Sequence, residues 1–234
     1  MDSRLSSIRD LLKKYNQEHL LSFYNELSDE QRNCLLTQIE SIDFEKINKL
    51  YSDLKTISIP TDEIIEPLDY FIKSSISIKE RRNLENKGSE LLKLGNYAVV
   101  TMAGGQGTRL GHKGPKGTFE LNLHPKKESL FEILADKLKS ANKRYNIEIP
   151  WYIMTSENNN DDTIHFFEAK NYFGYNKDKV TFFVQSKLPL VNSDDGKILL
   201  IEPYKVHEAS NGNGNLFESL ACNRSYWENE IWWN

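Results

Sequence analysis

One short segment of the sequence combines glycine with fixed positive charge. The loop from 101 to 118 contains six glycines and the cations Arg109, Lys113 and Lys116. The glycines are Gly104, Gly105, Gly107, Gly111, Gly114 and Gly117. Glycine lacks a side chain that would hold a ligand away from the backbone, and bare N–H groups beside cations bind phosphate. An apolar run over 97–100 leads into this loop, and the combination predicts a nucleotide site.

Two familiar phosphate-binding motifs do not fit this loop. The P-loop has a lysine after its second glycine, whereas here Lys116 precedes Gly117 and Thr118. A dinucleotide fingerprint needs a third glycine three residues after the second, and Leu110 stands there after Gly107. A kinase-like or dinucleotide-dependent enzyme is therefore disfavoured.

The composition excludes several further classes of protein. The 234 residues carry a net charge of -4, which argues against nucleic-acid binding. Cys34 and Cys222 are too few and too distant for a disulfide framework, so a reducing compartment is expected. The N-terminus lacks a signal-peptide pattern, and no run of about 18 apolar residues occurs. We expect a cytoplasmic protein that binds neither nucleic acid nor membrane.

The hydrophobic pattern divides the chain near residue 95. Before it, apolar residues recur at helical spacing, and a helix is expected over 78–94. Serine or aspartate precedes two further helices, with Ser28 or Asp29 as one candidate cap and Ser41 or Asp43 as the other. The pattern predicts an N-terminal helical region, 1–95, followed by an incomplete nucleotide-binding α/β domain, 96–234.

Strands and helices alternate in that second region. Strands are expected over 97–102, 151–155 and 180–185, and helices over 129–145 and 161–172. This order predicts an α/β fold with a largely parallel sheet flanked by helices, in which ligands lie beyond the carboxyl ends of the strands. The glycine loop and Gln185 fall there, whereas the run Asn158-Asn159-Asn160 is interpreted as a surface loop.

Two pieces of the loop, in this order and spacing, match a known signature. Residues 103–111, Ala-Gly-Gly-Gln-Gly-Thr-Arg-Leu-Gly, followed by Pro115-Lys116-Gly117, resemble the eukaryotic-type UDP-sugar pyrophosphorylases, closest to the N-acetylhexosamine branch. Segments 150–156, 171–174 and 196–199 are similar to later family segments. The resemblance implies a Rossmann-like nucleotidyltransferase fold of the glycosyltransferase-A type, with a mixed sheet flanked by helices and an N-terminal helical region.

The resemblance also implies roles for individual residues. Arg109 and Lys116 match the catalytic cations that hold the triphosphate, although each could be an ordinary surface cation. Gln185 matches the residue that reads the uracil edge, although it could merely end a strand, and Asn213 matches a sugar contact. The implied nucleotide-binding residues are Ala103, Gly104, Gly105, Gly107, Thr108, Gln185 and Gly212. No residue of this chain is assigned to a metal.

The family reaction transfers a uridylyl group from UTP to a sugar 1-phosphate, with Mg²⁺ as cofactor and pyrophosphate as product. Asn213 favours an N-acetylhexosamine 1-phosphate, because the glucose branch commonly has histidine at that place. Asn211 and Asn215 depart from the family pattern, and a side chain at 215 is expected to crowd the sugar.

Family members continue into a Val-Asp-Asn segment with a metal-binding aspartate, and then into a further sugar-binding region with a second lysine. We therefore expect this chain to resemble the N-terminal part of such an enzyme, truncated at its C-terminus, with weak nucleotide affinity and little catalysis by itself. The missing C-terminal half is a candidate partner. The alternative is a catalytically inactive nucleotide-binding or interaction module that uses its N-terminal helices to contact a partner.

Overall fold

The computed structural model describes residues 2–56, 66–70, 72–123 and 125–222. The helices are α1 (Asp2–Lys14), α2 (Asp29–Ser41), α3 (Phe44–Thr56), α4 (Ile78–Lys93), α5 (Leu130–Tyr145), α6 (Asn160–Ala169) and α7 (Leu216–Cys222). The strands are β1 (Val99–Met102), β2 (Glu120–Leu123), β3 (Lys126–Ser129), β4 (Trp151–Thr155), β5 (Val180–Val184), β6 (Lys187–Pro189), β7 (Leu200–Glu202), β8 (Lys205–Val206) and β9 (Glu208–Ser210). None of the helices in these ranges is long and apolar enough to cross a membrane.

The chain forms two compact units, of which the first comprises Met1–Pro67 and Lys187–Ser210. Its core joins apolar side chains of α1 and α2 to the later segment. The buried members include Ile8, Leu12, Leu20, Leu35, Leu36, Ile39, Ile198 and Val206. Gln17 accepts a hydrogen bond from Ile198 N at 2.9 Å, and Gln38 accepts one from Val206 N at 3.0 Å. These long-range amide bonds, which a helical pattern does not reveal, tie the strand-rich segment to the helices.

Side-chain caps fix where several helices begin. Ser28 caps α2 in a capping box with Gln31, and the Asp43 carboxylate accepts from Lys46 N at 2.9 Å before α3. Of the two candidates predicted for each helix, the structure therefore selects Ser28 and Asp43. The Ser129 hydroxyl accepts from Glu132 N at 3.1 Å and so fixes the start of α5, the helix that leads to β4.

The second unit, Leu68–Ser186 and Asn211–Asn234, contains a three-stranded parallel sheet in the order β1-β4-β5. The chain crosses from β1 to β4 through α5 and from β4 to β5 through α6, which confirms the predicted parallel α/β arrangement. Phe167 of α6 is fully buried, with its ring 4.9 Å from Phe131 and 5.4 Å from Trp151. This aromatic cluster fixes both helices against the sheet.

The predicted helix over 161–172 ends earlier, at Ala169, because the next turn is left-handed. Asn171, Tyr172 and Phe173 have φ angles of 47°, 50° and 54°, and Gly174 has 70°. Such values cannot continue a right-handed helix. Lys139 Nζ donates to Phe173 O at 2.6 Å and holds the turn against α5.

Candidate functional site

The three parallel strands of the second unit end at one edge of the sheet. β1 leads to Ala103, β4 to Ser156 and β5 to Gln185. Ala103 N donates to Met154 O at 2.7 Å, and Gln185 N donates to Thr155 O at 2.9 Å. The strand pairing therefore continues one residue past each outer strand, and it places the glycine loop and Gln185 on either side of the end of β4.

Gln185 lies against the backbone of Gly104. A methyl group at Gly104 would collide with Gln185 Nε2 and would lie 3.5 Å from Ser156 N. Only glycine leaves room for the amide at this position. Gln185 is 7% exposed, and its amide makes no hydrogen bond to any residue that the structure describes. One donor and one acceptor group are thus available beside the loop.

A short antiparallel bridge closes the glycine loop. Gly107 N donates to Gly114 O at 2.9 Å, and Lys116 N donates to Gly105 O at 3.0 Å. Several other N–H groups of the loop have no acceptor among the described residues. They belong to Gly104, Gly105, Gln106 and Thr108. Clustered N–H groups of this kind can donate to the oxygens of a phosphate.

Arg109 and Lys116 lie in the short 3-10 turns Thr108–Leu110 and Lys116–Thr118 of the loop. Both side chains are exposed, and within the described ranges neither has an ion-pair or hydrogen-bond partner. They are therefore accessible to an anionic ligand at the same loop as the N–H groups. Lys113 is exposed as well, so exposure alone does not distinguish it from the two predicted phosphate contacts.

Gly107 serves the internal packing of the loop. A Cβ there would lie 2.8 Å from His112 Cβ, which is too close for an ordinary contact. The Thr118 hydroxyl donates to Pro115 O at 2.8 Å, so it accepts from His112 Nε2 at 2.7 Å. The imidazole also packs edge-on against Phe119 at 5.8 Å. His112 is thus a structural tie inside the loop.

Gly117 anchors the end of the loop to the core of the second unit. Any side chain at this position would collide with the ring of Phe131, which is 1% exposed. Phe131 belongs to the aromatic cluster between α5, α6 and the sheet. The close contact between Gly117 and Phe131 therefore fixes the end of the loop against the core of the second unit.

Asn159 was missed by sequence reasoning. The interpretation of residues 158–160 as a surface loop is wrong for this side chain, which is 1% exposed. Asn159 Nδ2 donates to Ala103 O at 2.9 Å and to Gly105 O at 3.3 Å. A run of polar residues is typical of a surface loop. The one sequence signal for a role at the site was the place of Asn159 shortly after a predicted strand of a parallel sheet.

A second loop, residues 211–215, lies against Ser186, the neighbour of Gln185. Asn211 N donates to Ser186 O at 3.0 Å, and the Ser186 hydroxyl donates to Asn215 Oδ1 at 2.6 Å. Gly212 has a φ of 77°, which favours glycine, and Asn213 is exposed. The structure thus places this loop beside the end of β5, near the residue predicted to read uracil.

Asn215 does not point toward a ligand. It is 5% exposed, and its Oδ1 also accepts from Ser186 N at 3.2 Å and from the Ser219 hydroxyl. Its Nδ2 donates to Glu218 at 2.6 Å. The side chain that was expected to crowd the sugar is instead an internal support that joins the second loop to α7.

The described residues provide no preformed metal centre. Within those ranges, no group of three or more His, Cys, Asp or Glu side chains could hold a metal ion. The fixed positive charges that this part of the chain brings to the loop are those of Arg109, Lys113 and Lys116.

A cavity of about 580 Å³ lies at the opposite, amino edge of the sheet. Its lining includes Asn142, Tyr175 and Lys177. Asn142 Nδ2 donates to the Tyr175 hydroxyl at 3.1 Å, and that hydroxyl donates to Ile149 O at 2.5 Å. Burial raises the pKa of Tyr175, while the hydrogen bond from Asn142 opposes this. The lining of the cavity includes no residue of the glycine loop or of the loop 211–215, so the cavity is distinct from the predicted nucleotide site.

Sequence comparison assigns the loop to a family. A model of the UTP–glucose-1-phosphate uridylyltransferase family matches residues 41–226. The chain belongs to this family. It is 34% identical over 235 residues to a probable UDP-N-acetylglucosamine pyrophosphorylase of Dictyostelium discoideum, covering 94% of this chain and 47% of that protein. It is 35% identical over 231 residues to UDP-N-acetylglucosamine diphosphorylase 2 of Arabidopsis thaliana, covering 91% and 45%.

A solved relative confirms the fold of this uridylyltransferase-family chain. The uridine diphosphate N-acetylglucosamine pyrophosphorylase of Trypanosoma brucei, crystallised with an inhibitor, superposes with a TM-score of 0.70 at 28% identity. The match covers 94% of this chain and 45% of that one. The predicted fold class and family resemblance are confirmed, and the chain spans about half the length of the curated relatives it matches.

Proposed function

We propose that this chain binds UTP at the glycine loop and acts as part of a uridylyltransferase. The product would be UDP-N-acetylglucosamine or a related UDP-sugar, formed with pyrophosphate from UTP and a sugar 1-phosphate. One observation carries the proposal: the Gln185 amide lies beside a loop in which the N–H groups of Gly104, Gly105, Gln106 and Thr108 and the exposed cations have no partner within the described ranges. The names of the relatives support the same chemistry.

In the proposed reaction, an oxygen of the sugar 1-phosphate attacks the α-phosphorus of UTP. A new P–O bond forms, the bond from the α-phosphorus to the bridging oxygen breaks, and pyrophosphate leaves without a covalent enzyme intermediate. Arg109, Lys116 and the loop N–H groups would align the two anions and neutralise their charge. Gln185 and the backbone of Gly212 would read uracil, and Asn213 would contact the sugar.

Mg²⁺ is the proposed cofactor. Because the described residues form no ligand set for it, we propose that the ion is held by the triphosphate oxygens, which are ligands that Mg²⁺ prefers. When bound, it would supply further neutralisation of phosphate charge. A cytoplasmic location is also proposed, since Cys34 and Cys222 are both free thiols.

The second candidate is a nucleotide-binding module without catalysis. It is favoured by the lack of a carboxylate cluster within the described residues, since phosphoryl transfer commonly uses a protein-bound metal ion. Both candidates share the UTP site, and they differ in whether pyrophosphate is released.

Two lysines of the loop provide a matched test. We expect Lys116→Ala to weaken UTP binding roughly 10- to 150-fold, since a charged hydrogen bond contributes roughly 1.5–3 kcal/mol. Lys113→Ala, which removes the same charge three residues away, should change it by less than about twofold. Equal effects of the two substitutions would contradict the site assignment.

Pyrophosphate release separates the two candidate functions. The full chain would be incubated with UTP, Mg²⁺ and either N-acetylglucosamine 1-phosphate or glucose 1-phosphate. Release that is faster with the N-acetylated sugar supports the enzyme, and faster release with glucose 1-phosphate would contradict the role of Asn213. UTP binding without release supports the binding module.

A further inference from the structure

We propose that Asn159 is a positioning residue that aims the N–H groups of the glycine loop toward the nucleotide. The side chain lies between the end of β4 and the start of α6, and it is 1% exposed. The expected effect of Asn159 on nucleotide binding rests on the proposed UTP function, whereas its expected effect on the position of the loop does not.

All four hydrogen-bonding positions of the Asn159 amide are used. Its Oδ1 accepts from Ser156 N at 2.8 Å and from the Ser156 hydroxyl at 3.0 Å. Its Nδ2 donates to Ala103 O at 2.9 Å and to Gly105 O at 3.3 Å. An asparagine amide has two donors and two acceptor positions, so the side chain is saturated by the two segments that it joins.

The direction of the loop N–H groups follows from peptide geometry. In a trans peptide the C=O and N–H groups point in opposite directions. The carbonyl of Ala103 shares its peptide with the N–H of Gly104, and the carbonyl of Gly105 shares its peptide with the N–H of Gln106. Because both carbonyls point to Asn159, both N–H groups point away from it. Neither has an acceptor among the described residues.

The bond from Asn159 to Gly105 O also affects the backbone of Lys116, one of the predicted catalytic cations. Gly105 O accepts from Asn159 and also from Lys116 N at 3.0 Å. A shift of this carbonyl would therefore move the backbone from which the Lys116 side chain projects. Asn159 thus supports both the N–H groups and the far side of the loop.

Aspartate at this position would keep the size and shape of the side chain and remove the two hydrogen bonds that the amide donates. It cannot donate, and it would place carboxylate oxygens against the carbonyls of Ala103 and Gly105. Asn158 is a matched control, because its side chain is exposed and, among the described residues, its one hydrogen bond is the one that its carbonyl accepts from Gln106 Nε2 at 3.3 Å. Asn158→Asp introduces the same charge one residue away.

The test measures the loop directly and the ligand separately. Amide hydrogen exchange at Gly107 and Lys116 reports the bridge that closes the loop, while exchange at Ile153 reports the sheet. We expect Asn159→Asp to raise exchange at the first two positions about tenfold or more and to leave Ile153 unchanged. Asn158→Asp should keep all three within about twofold.

A calorimetric titration with UTP and Mg²⁺ supplies the second readout. We expect Asn159→Asp to weaken binding about tenfold or more, and Asn158→Asp to weaken it by less than about twofold. If Asn159→Asp does not fold, Asn159→Ala replaces it, since it removes the donors without adding charge.

Unchanged loop exchange in these variants would overturn the proposal. Equal acceleration in the loop and the sheet would also overturn it, because it would show a general structural role. If the unsubstituted chain does not bind UTP, the proposed function fails, and the exchange comparison still decides the role of Asn159.

Discussion

The contact between Gly104 and Gln185 leads to a sharp prediction about base recognition. In Gly104→Ala, the new methyl group collides with the end of the Gln185 side chain. That end can rotate away, so the free energy of unfolding should fall by no more than about 1.5 kcal/mol, the cost of an unfavourable rotamer. The amide would then no longer occupy the place from which it is proposed to read uracil.

The expected loss of affinity follows from the hydrogen bonds of one amide. An amide can give one donor and one acceptor bond to the edge of a base. At a net contribution of about 0.5–1.5 kcal/mol each, the two bonds together contribute about 1–3 kcal/mol. UTP binding should therefore weaken roughly 5- to 150-fold.

The assay compares UTP with inorganic tripolyphosphate, which carries phosphates and no base. Gly104→Ala should weaken UTP binding and leave tripolyphosphate binding within about twofold, because the loop N–H groups are retained. Gly105→Ala is the matched control, since a methyl group there meets no atom within 4 Å. It should leave the ratio of the two affinities unchanged.

Equal losses for UTP and tripolyphosphate in Gly104→Ala would refute this reasoning. They would show that the methyl group disturbs the phosphate site and not base recognition. Unchanged UTP affinity would refute the proposed role of Gln185 itself.

Three further predictions concern stability and loop order. Gly117→Ala should lower the free energy of unfolding by about 1–3 kcal/mol through overpacking against Phe131, and a denaturant titration that shows no loss would contradict the contact. In Asn215→Ala, the half-buried N–H of Ser186 keeps Ser219 Oγ at 3.1 Å and loses its second acceptor, while the Ser186 hydroxyl loses its acceptor, so amide exchange at Ser186 should rise, and unchanged exchange would contradict the support role. Burial raises the pKa of Tyr175 in the folded chain above its usual 10.0, so the stability linked to this hydroxyl is complete below pH 10.0 and is lost as the pH rises through the pKa of the folded state. Tyr175→Phe should therefore lose less stability in alkaline denaturation than the unsubstituted chain. Identical pH profiles of the two proteins would refute this.

Local chemistry allowed much of the fold to be predicted from the sequence. Caps such as Ser28 bond within their own helix, and β4 was predicted with the bounds that the structure gives. The early end of α6 was not predictable, because Tyr172 and Phe173 adopt left-handed angles that such residues rarely take and that their sequence does not signal.

The structure brings together the residues of the candidate site whose types suggested a function. The glycines of the loop were singled out because glycine permits close approach, and Gln185 because the family resemblance implies that its amide reads uracil; these roles stay predictions. Asn159 was missed and Asn215 misread because each also bonds to a segment far away in the chain, Asn159 to a carbonyl 56 residues earlier and Asn215 to Ser186, 29 residues earlier. The glycine pattern also did not show that Gly107 is needed for close packing against His112, and Gly117 for close packing against Phe131.

The central claim is that the carboxyl edge of the parallel sheet binds a uridine nucleotide. A calorimetric titration of the full chain with UTP and with ATP, each with Mg²⁺, tests it most directly. Binding of UTP in clear preference to ATP is the result expected if Gln185 reads the base. Equal binding of the two nucleotides, or binding of neither, would contradict the claim.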